Sequence, residues 1–86
     1  MTGGWWVYMI ACRGGTIYTG IAKDPEQRFR VHAAGKGAAY TRINPPVALL
    51  AAKAFSTRAA ALIEEAALKK RSRAGKEAWA RAQARG

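Results

Sequence analysis

The chain reads as an α/β sandwich in which helices flank a small mixed three-stranded sheet, in the order β-β-α-β-α-α. Three observations predict it. Two short aromatic and β-branched runs, residues 5–11 and 16–21, are separated by Gly14-Gly15, which is a hairpin signal. A continuous apolar run, residues 47–55, follows Pro45-Pro46 and suits a strand buried on both faces. Segments with helix start and stop signals lie between and after these strands.

The hairpin comes first. A turn centred near Arg13 sets Tyr8 opposite Tyr18, or within a residue or two of it. Asp24 then supplies a helix N-cap, Pro25 fits the first helical position, and Gln27 stands where a capping-box partner would. Gly35 closes this helix. Arg28 and His32, four residues apart, share one of its faces. Two phenols, a guanidinium and an imidazole therefore converge on one edge.

Residues 35–46, GKGAAYTRINPP, are rich in glycine and proline and read as a loop carrying Lys36, Tyr40 and Arg42. The third strand follows. Ser56 or Thr57 caps a long alanine-rich helix to about residue 72, and a further helical run spans about residues 74–84. Ala59, Leu62, Ile63 and Ala66 form the apolar stripe of the first of these, with Phe55, Leu62 and Ile63 where strand and helix meet. That stripe puts Glu65 at the border of the packed face and turns Glu64 to water. Lys69, four residues after Glu65, is placed for an ion pair.

Eighty-six residues make one domain, 1–86, and a chain of this length buries only about 60–65% of its unfolded surface. Cys12 is the one cysteine, which excludes a disulfide framework and a Cys/His zinc site and fits a cytoplasmic location. The apolar N-terminal run is too short to span a membrane, and the last helix has only Trp79 as a membrane anchor. Fifteen Lys and Arg against five Asp and Glu give a net charge of +10. Such a field attracts polyanions, nucleic acid first among them. Residues 69–85 hold Lys69, Lys70, Arg71, Arg73, Lys76, Arg81 and Arg85 against Glu77 alone. This basic surface helix suits phosphate contacts that ignore sequence.

The segments Trp6-Val7-Tyr8 and Tyr18-Thr19-Gly20, with Arg28 and His32 behind them and Glu65 downstream, resemble the GIY-YIG nuclease superfamily. The resemblance is closest to its small stand-alone bacterial members of the UPF0213-like kind and covers most of the chain. It implies a GIY-YIG-like fold and phosphodiester hydrolysis, as a divalent-metal-dependent endonuclease with DNA before RNA as substrate. Under it Tyr8, Tyr18, Arg28, His32 and Glu65 are catalytic. One tyrosine is the general base, Arg28 holds the phosphate, His32 orients or transfers a proton, and Glu65 binds Mg²⁺ or Mn²⁺. Lys23, Lys36, Tyr40, Arg42, Lys69, Lys70 and Arg73 are the expected nucleic-acid contacts. Two positions depart from the family pattern: Ile21 stands where many active members carry Lys or Arg, and the only asparagine is Asn44 rather than a late one. Larger members select targets through a second domain, a task that would fall here to a protein partner. The alternative is a DNA- or RNA-binding or ribosome-associated module that keeps the fold without the chemistry.

Overall fold

The computed structural model of the protein describes residues 4–85, with side chains through residue 83. Strands β1 (Trp5–Cys12), β2 (Ile17–Ala22) and β3 (Pro46–Phe55) form one sheet in the order β2-β1-β3. The hairpin expected from Gly14-Gly15 is present, and both glycines take positive φ, 87° and 85°, a region L side chains avoid. The three strands and flanking helices are as expected, but both ladders are antiparallel, so the sheet is not mixed. The reason lies in the connection. Helices α1 (Pro25–Ala33) and α2 (Ala39–Ile43) carry the chain past β1, and β3 pairs with β1 rather than with β2.

That placement also corrects the burial expected of the third strand. β3 is an edge strand with Val47 66% and Leu50 40% exposed. Both are the extra residues where the β1–β3 register slips, and such bulges leave a residue unpaired at an edge. The strand buried on both faces is β1, in which Val7, Tyr8, Met9 and Ile10 are all buried. Its odd residues Val7 and Met9 pack with Ala61, Leu68, Trp79 and Ala80 of α3 (Arg58–Lys69) and α4 (Arg73–Arg85). Its even residues Tyr8, Ile10 and Cys12 pack with Ala22, Tyr18 and Phe29 on the α1 side.

Local chemistry sets the helix ends. The Asp24 carboxylate accepts from the Gln27 N–H at 3.1 Å, and Thr57 caps α3 by accepting from the Ala60 N–H at 3.1 Å. At the end of α1, Gly35 (φ 78°) donates to the His32 carbonyl and Lys36 donates to the Val31 carbonyl, the paired bonds of a Schellman cap. Helix α2, a single turn with no side-chain N-cap, lies where a loop was expected; its five residues are too few to print a helical period.

The buried stripe of α3 differs from the expected one. Ala61 and Leu68 are buried and Glu64 and Glu65 are half-buried, whereas Ile63 is 73% and Leu62 36% exposed. The helix is turned because Glu64 accepts a 2.8 Å hydrogen bond from the Trp79 indole N–H. A buried indole must find an acceptor, and Phe55, as expected, packs beside this cluster. Among the described residues no helix is long and apolar enough to cross a membrane. Leu68→Ala is expected to cost about 2–5 kcal/mol, and Ile63→Ala to stay within about 0.5 kcal/mol. Urea melts of the two variants check which face of α3 is buried.

Candidate active site

Tyr8 lies at the centre of β1 with 1% of its surface exposed. Its partner across the hairpin is Gly20, and a Cβ there would stand 2.6 Å from the phenol oxygen. The phenol thus lies flat across β2 because position 20 has no side chain. Tyr18 pairs with Ile10 and shares the same face, its ring 6.3 Å from that of Tyr8. The two tyrosines are therefore offset by two residues along the ladder, within the range the hairpin allowed.

His32, from the last turn of α1, is 1% exposed and ends in a chain of hydrogen bonds. The Tyr8 oxygen is 3.0 Å from His32 Nε2, His32 Nδ1 is 2.7 Å from Thr41 Oγ1, and Thr41 Oγ1 is 2.9 Å from the Ala38 carbonyl. The carbonyl can only accept, so the single Thr41 hydroxyl proton points to it. Thr41 then accepts from His32 Nδ1–H, which leaves Nε2 bare in the neutral ring. Tyr8 therefore donates to His32. Gly37 completes the seat, since any Cβ there would fall inside the imidazole.

The electrostatics agree with this assignment. Burial, then the charge of Arg28, lowers the His32 pKa below its ordinary value. The Tyr8 phenol is pushed up to about 12, by burial first and then by Tyr18. The neighbouring Arg28 guanidinium opposes the rise, while Glu65 adds to it. Glu65 thus sits within electrostatic reach of Tyr8. Its carboxylate is 3.2 Å from Lys69 Nζ, the ion pair its spacing predicts.

Tyr8, Tyr18, Arg28, His32 and Glu65 thus share one locality. Glu64 does not look to water as expected, because Trp79 holds it. No group of three or more metal-ligating side chains occurs among the described residues. Glu65 still fits a hard cation such as Mg²⁺, which keeps most of its waters and takes one protein carboxylate plus phosphate oxygens. The Lys69 ammonium is already paired with that carboxylate.

The expected nucleic-acid contacts divide. Tyr40 stacks on Tyr18 with centroids 6.0 Å apart, and Lys36, Arg42 and Lys70 are exposed. Lys23 lies over the Trp5 ring at 5.4 Å. Arg73 donates to the Gly15 carbonyl and to Glu77, which ties α4 to the hairpin turn. The Arg85 side chain lies outside the described residues. Ile21 packs against the α3–α4 cluster, and Asn44 closes α2 by donating to the Tyr40 carbonyl at 3.2 Å. Sequence reasoning missed Thr41 and Gly37; both sit in the segment read as loop, and only the spacing of Gly37 after a helical histidine could have marked them.

A family model described as the GIY-YIG catalytic domain matches residues 4–78. A UPF0213 protein of Xanthomonas axonopodis pv. citri is 49% identical over 81 residues, covering 94% of this chain and 79% of the relative. A UPF0213 protein of Neisseria gonorrhoeae is 41% identical over 80 residues, covering 92% and 88%. The solution NMR structure of a UPF0213 protein from Bacillus halodurans superposes with a TM-score of 0.56 at 39% identity, covering 88% of this chain and 81% of that one.

His32 is the only histidine in the chain, so its titration is read without overlap. Its folded pKa is depressed, so the unfolded chain binds the proton more readily. The stability held above the unfolded pKa of about 6.5 is lost as pH falls toward the folded value. NMR titration of the one imidazole should give a pKa below that of a model histidine and the Nδ1–H tautomer at neutral pH. The melting midpoint should fall as the pH drops below about 6.5. A midpoint flat below that pH would contradict the neutral buried ring.

Proposed function

The chain belongs to the GIY-YIG catalytic-domain family, a family of nucleases, and on that premise we propose that it binds nucleic acid, DNA before RNA, and hydrolyses a phosphodiester with the help of a divalent metal ion. The observation that carries the reading is the 3.0 Å bond from Tyr8 to His32 within an ordered chain ending at the Ala38 carbonyl.

A phenol at about pKa 12 does not ionise unaided at neutral pH. Tyr8 instead takes a proton from the attacking water as it passes its own to His32 Nε2. The imidazole, neutral and with Nε2 bare, is the final acceptor. Thr41 and Gly37 hold the ring so that Nε2 faces the phenol. Arg28 is exposed and already adjoins the phenol, placed to hold the scissile phosphate and offset the charge developing on it. Glu65 would hold Mg²⁺ or Mn²⁺, and the ion supplies charge neutralisation at the phosphate. Tyr18, half-buried between Tyr8 and Tyr40, is the packing partner of the base. A cytoplasmic location accompanies this reading and rests on Cys12, a buried thiol without a disulfide partner.

A second reading has one observation in its favour. Lys69 neutralises Glu65, and a domain that leaves this pair closed would bind nucleic acid without cutting it. Nicking of supercoiled plasmid with Mg²⁺ or Mn²⁺, against an EDTA control, separates the two. Tyr8→Phe should lower cleavage by about 10²–10⁴-fold, and Tyr18→Phe by much less. Glu65→Gln and Arg28→Ala should abolish cleavage, with affinity kept or raised in the first and modestly reduced in the second. Glu64→Gln should cut like wild type, because an amide oxygen still accepts from Trp79. Affinity in either reading should fall with salt at a log–log slope of about −0.9 per duplex phosphate contacted. A protein that binds in this way yet never nicks DNA selects the binding module.

A further inference from the structure

We infer that the hollow beside the two tyrosines is a second subsite, which takes an unstacked nucleotide of the bound strand with its base on Tyr40 and its phosphate between Lys69 and Lys76. This deepens the proposed nucleic-acid reading and rests on it. The hollow is lined by Ile17, Tyr18, Thr19, Tyr40, Lys69 and Lys76. A neighbouring depression shares Ile17, Tyr40 and Lys76, so the surface continues toward the hairpin turn.

Three features point to a ligand. Thr19 lines the hollow and is 3% exposed, and its buried hydroxyl has no hydrogen-bond partner among the described residues. Buried polar groups in folded proteins are nearly always satisfied, and this one is left without a partner in the wall of the hollow. Lys76 is half-buried in the first turn of α4 and has no acidic partner among the described residues. Among the described residues no acidic side chain lines the hollow, and Glu65 reaches it only as the ion-pair partner of Lys69, which leaves Lys76 as its unpaired ammonium. Tyr40, 39% exposed, stands on the Tyr18 ring with its plane 27° from it, which braces an accessible aromatic surface beside the two ammonium groups.

An anion with an attached planar ring matches this set, and a phosphate alone would leave Tyr40 unused. The ring must come from an unpaired strand or a splayed nucleotide, because a duplex base is already stacked on its neighbours and cannot offer its face. Tyr18 joins this subsite to the phenol of Tyr8. The nucleotide held there consequently flanks the phosphodiester under attack.

The test is fluorescence anisotropy with a labelled single-stranded oligonucleotide and its duplex, in EDTA so that the strand stays intact. Tyr40→Ala should weaken single-strand binding about tenfold and duplex binding far less. Lys76→Gln should reduce the single-strand salt slope by about 0.7, the value of one phosphate contact. Lys53→Gln, on β3 beside Phe55, controls for loss of a positive charge elsewhere and should leave the slope near wild type. Thr19→Val should raise the melting midpoint, since it removes an unsatisfied buried hydroxyl, while weakening single-strand binding about threefold. Equal loss on both strand forms, or Lys76→Gln matching Lys53→Gln, would overturn the subsite while leaving cleavage through Tyr8 and Glu65 intact. A mononucleotide that displaces the strand as well as an oligonucleotide does would assign the hollow to a free nucleotide, against the inference. No binding of either oligonucleotide by wild type at low salt would overturn both this subsite and the function proposed above.

Discussion

Tyr8 carries its hydroxyl into the α1 side of the middle strand, where almost none of it reaches solvent, so the phenol must find its partners inside the fold. Much of the surrounding architecture follows from that requirement. Gly20 leaves the space in which the ring lies. The Schellman cap at Gly35 binds the His32 carbonyl and stops α1 where its imidazole meets the phenol. Gly37 lets the chain cross close over that ring, and α2 exists to bring the Thr41 hydroxyl to Nδ1. Four separate segments converge on one proton, and the polarity of each bond is dictated by the last, a carbonyl that can only accept.

The same accounting on the other face of the sheet explains the turn of α3. Trp79 is 6% exposed and its indole N–H needs an acceptor, which Glu64 provides. Holding Glu64 inward carries its neighbour Glu65 to the flank of the buried stripe, on the side where its charge is felt by Tyr8. The exposure of Leu62 and Ile63 is the cost of this arrangement. One carboxylate thereby positions its neighbour, and the two differ in partner rather than in depth.

What could be read from the chain alone was whatever its local chemistry decides. Asp24, Pro25 and Gly35 mark α1 because caps are satisfied within a few residues, and Gly14-Gly15 mark the hairpin because only positive φ closes it. That local frame was enough to bring Tyr8, Tyr18, Arg28 and His32 to one place. Strand β3 misled because its apolar run describes composition, whereas its burial depends on lying at an edge. The α3 stripe misled because hydrophobic periodicity cannot register a tryptophan fifteen residues away that draws a glutamate inward. Thr41 was invisible for a similar reason, its role being defined by a contact across the α1–α2 turn rather than by any spacing.

Net charge and contact charge are different quantities here. The +10 field acts on any polyanion at a distance, yet Lys23, Lys69 and Arg73 are each engaged within the protein. Arg28 is an exposed cation whose charge is felt at both Tyr8 and His32, and it already lowers the Tyr8 pKa against burial. A phosphodiester arriving at Arg28 brings negative charge, which by itself would make the phenol still harder to ionise. A mechanism resting on a preformed phenolate would thus be weakened by its own substrate. A relay that ends on a neutral imidazole is not weakened in this way, because the incoming anion favours the imidazolium that forms as the proton leaves. Under the proposed function, the orientation of His32 by Thr41 would therefore matter more to base catalysis than the acidity of the tyrosine.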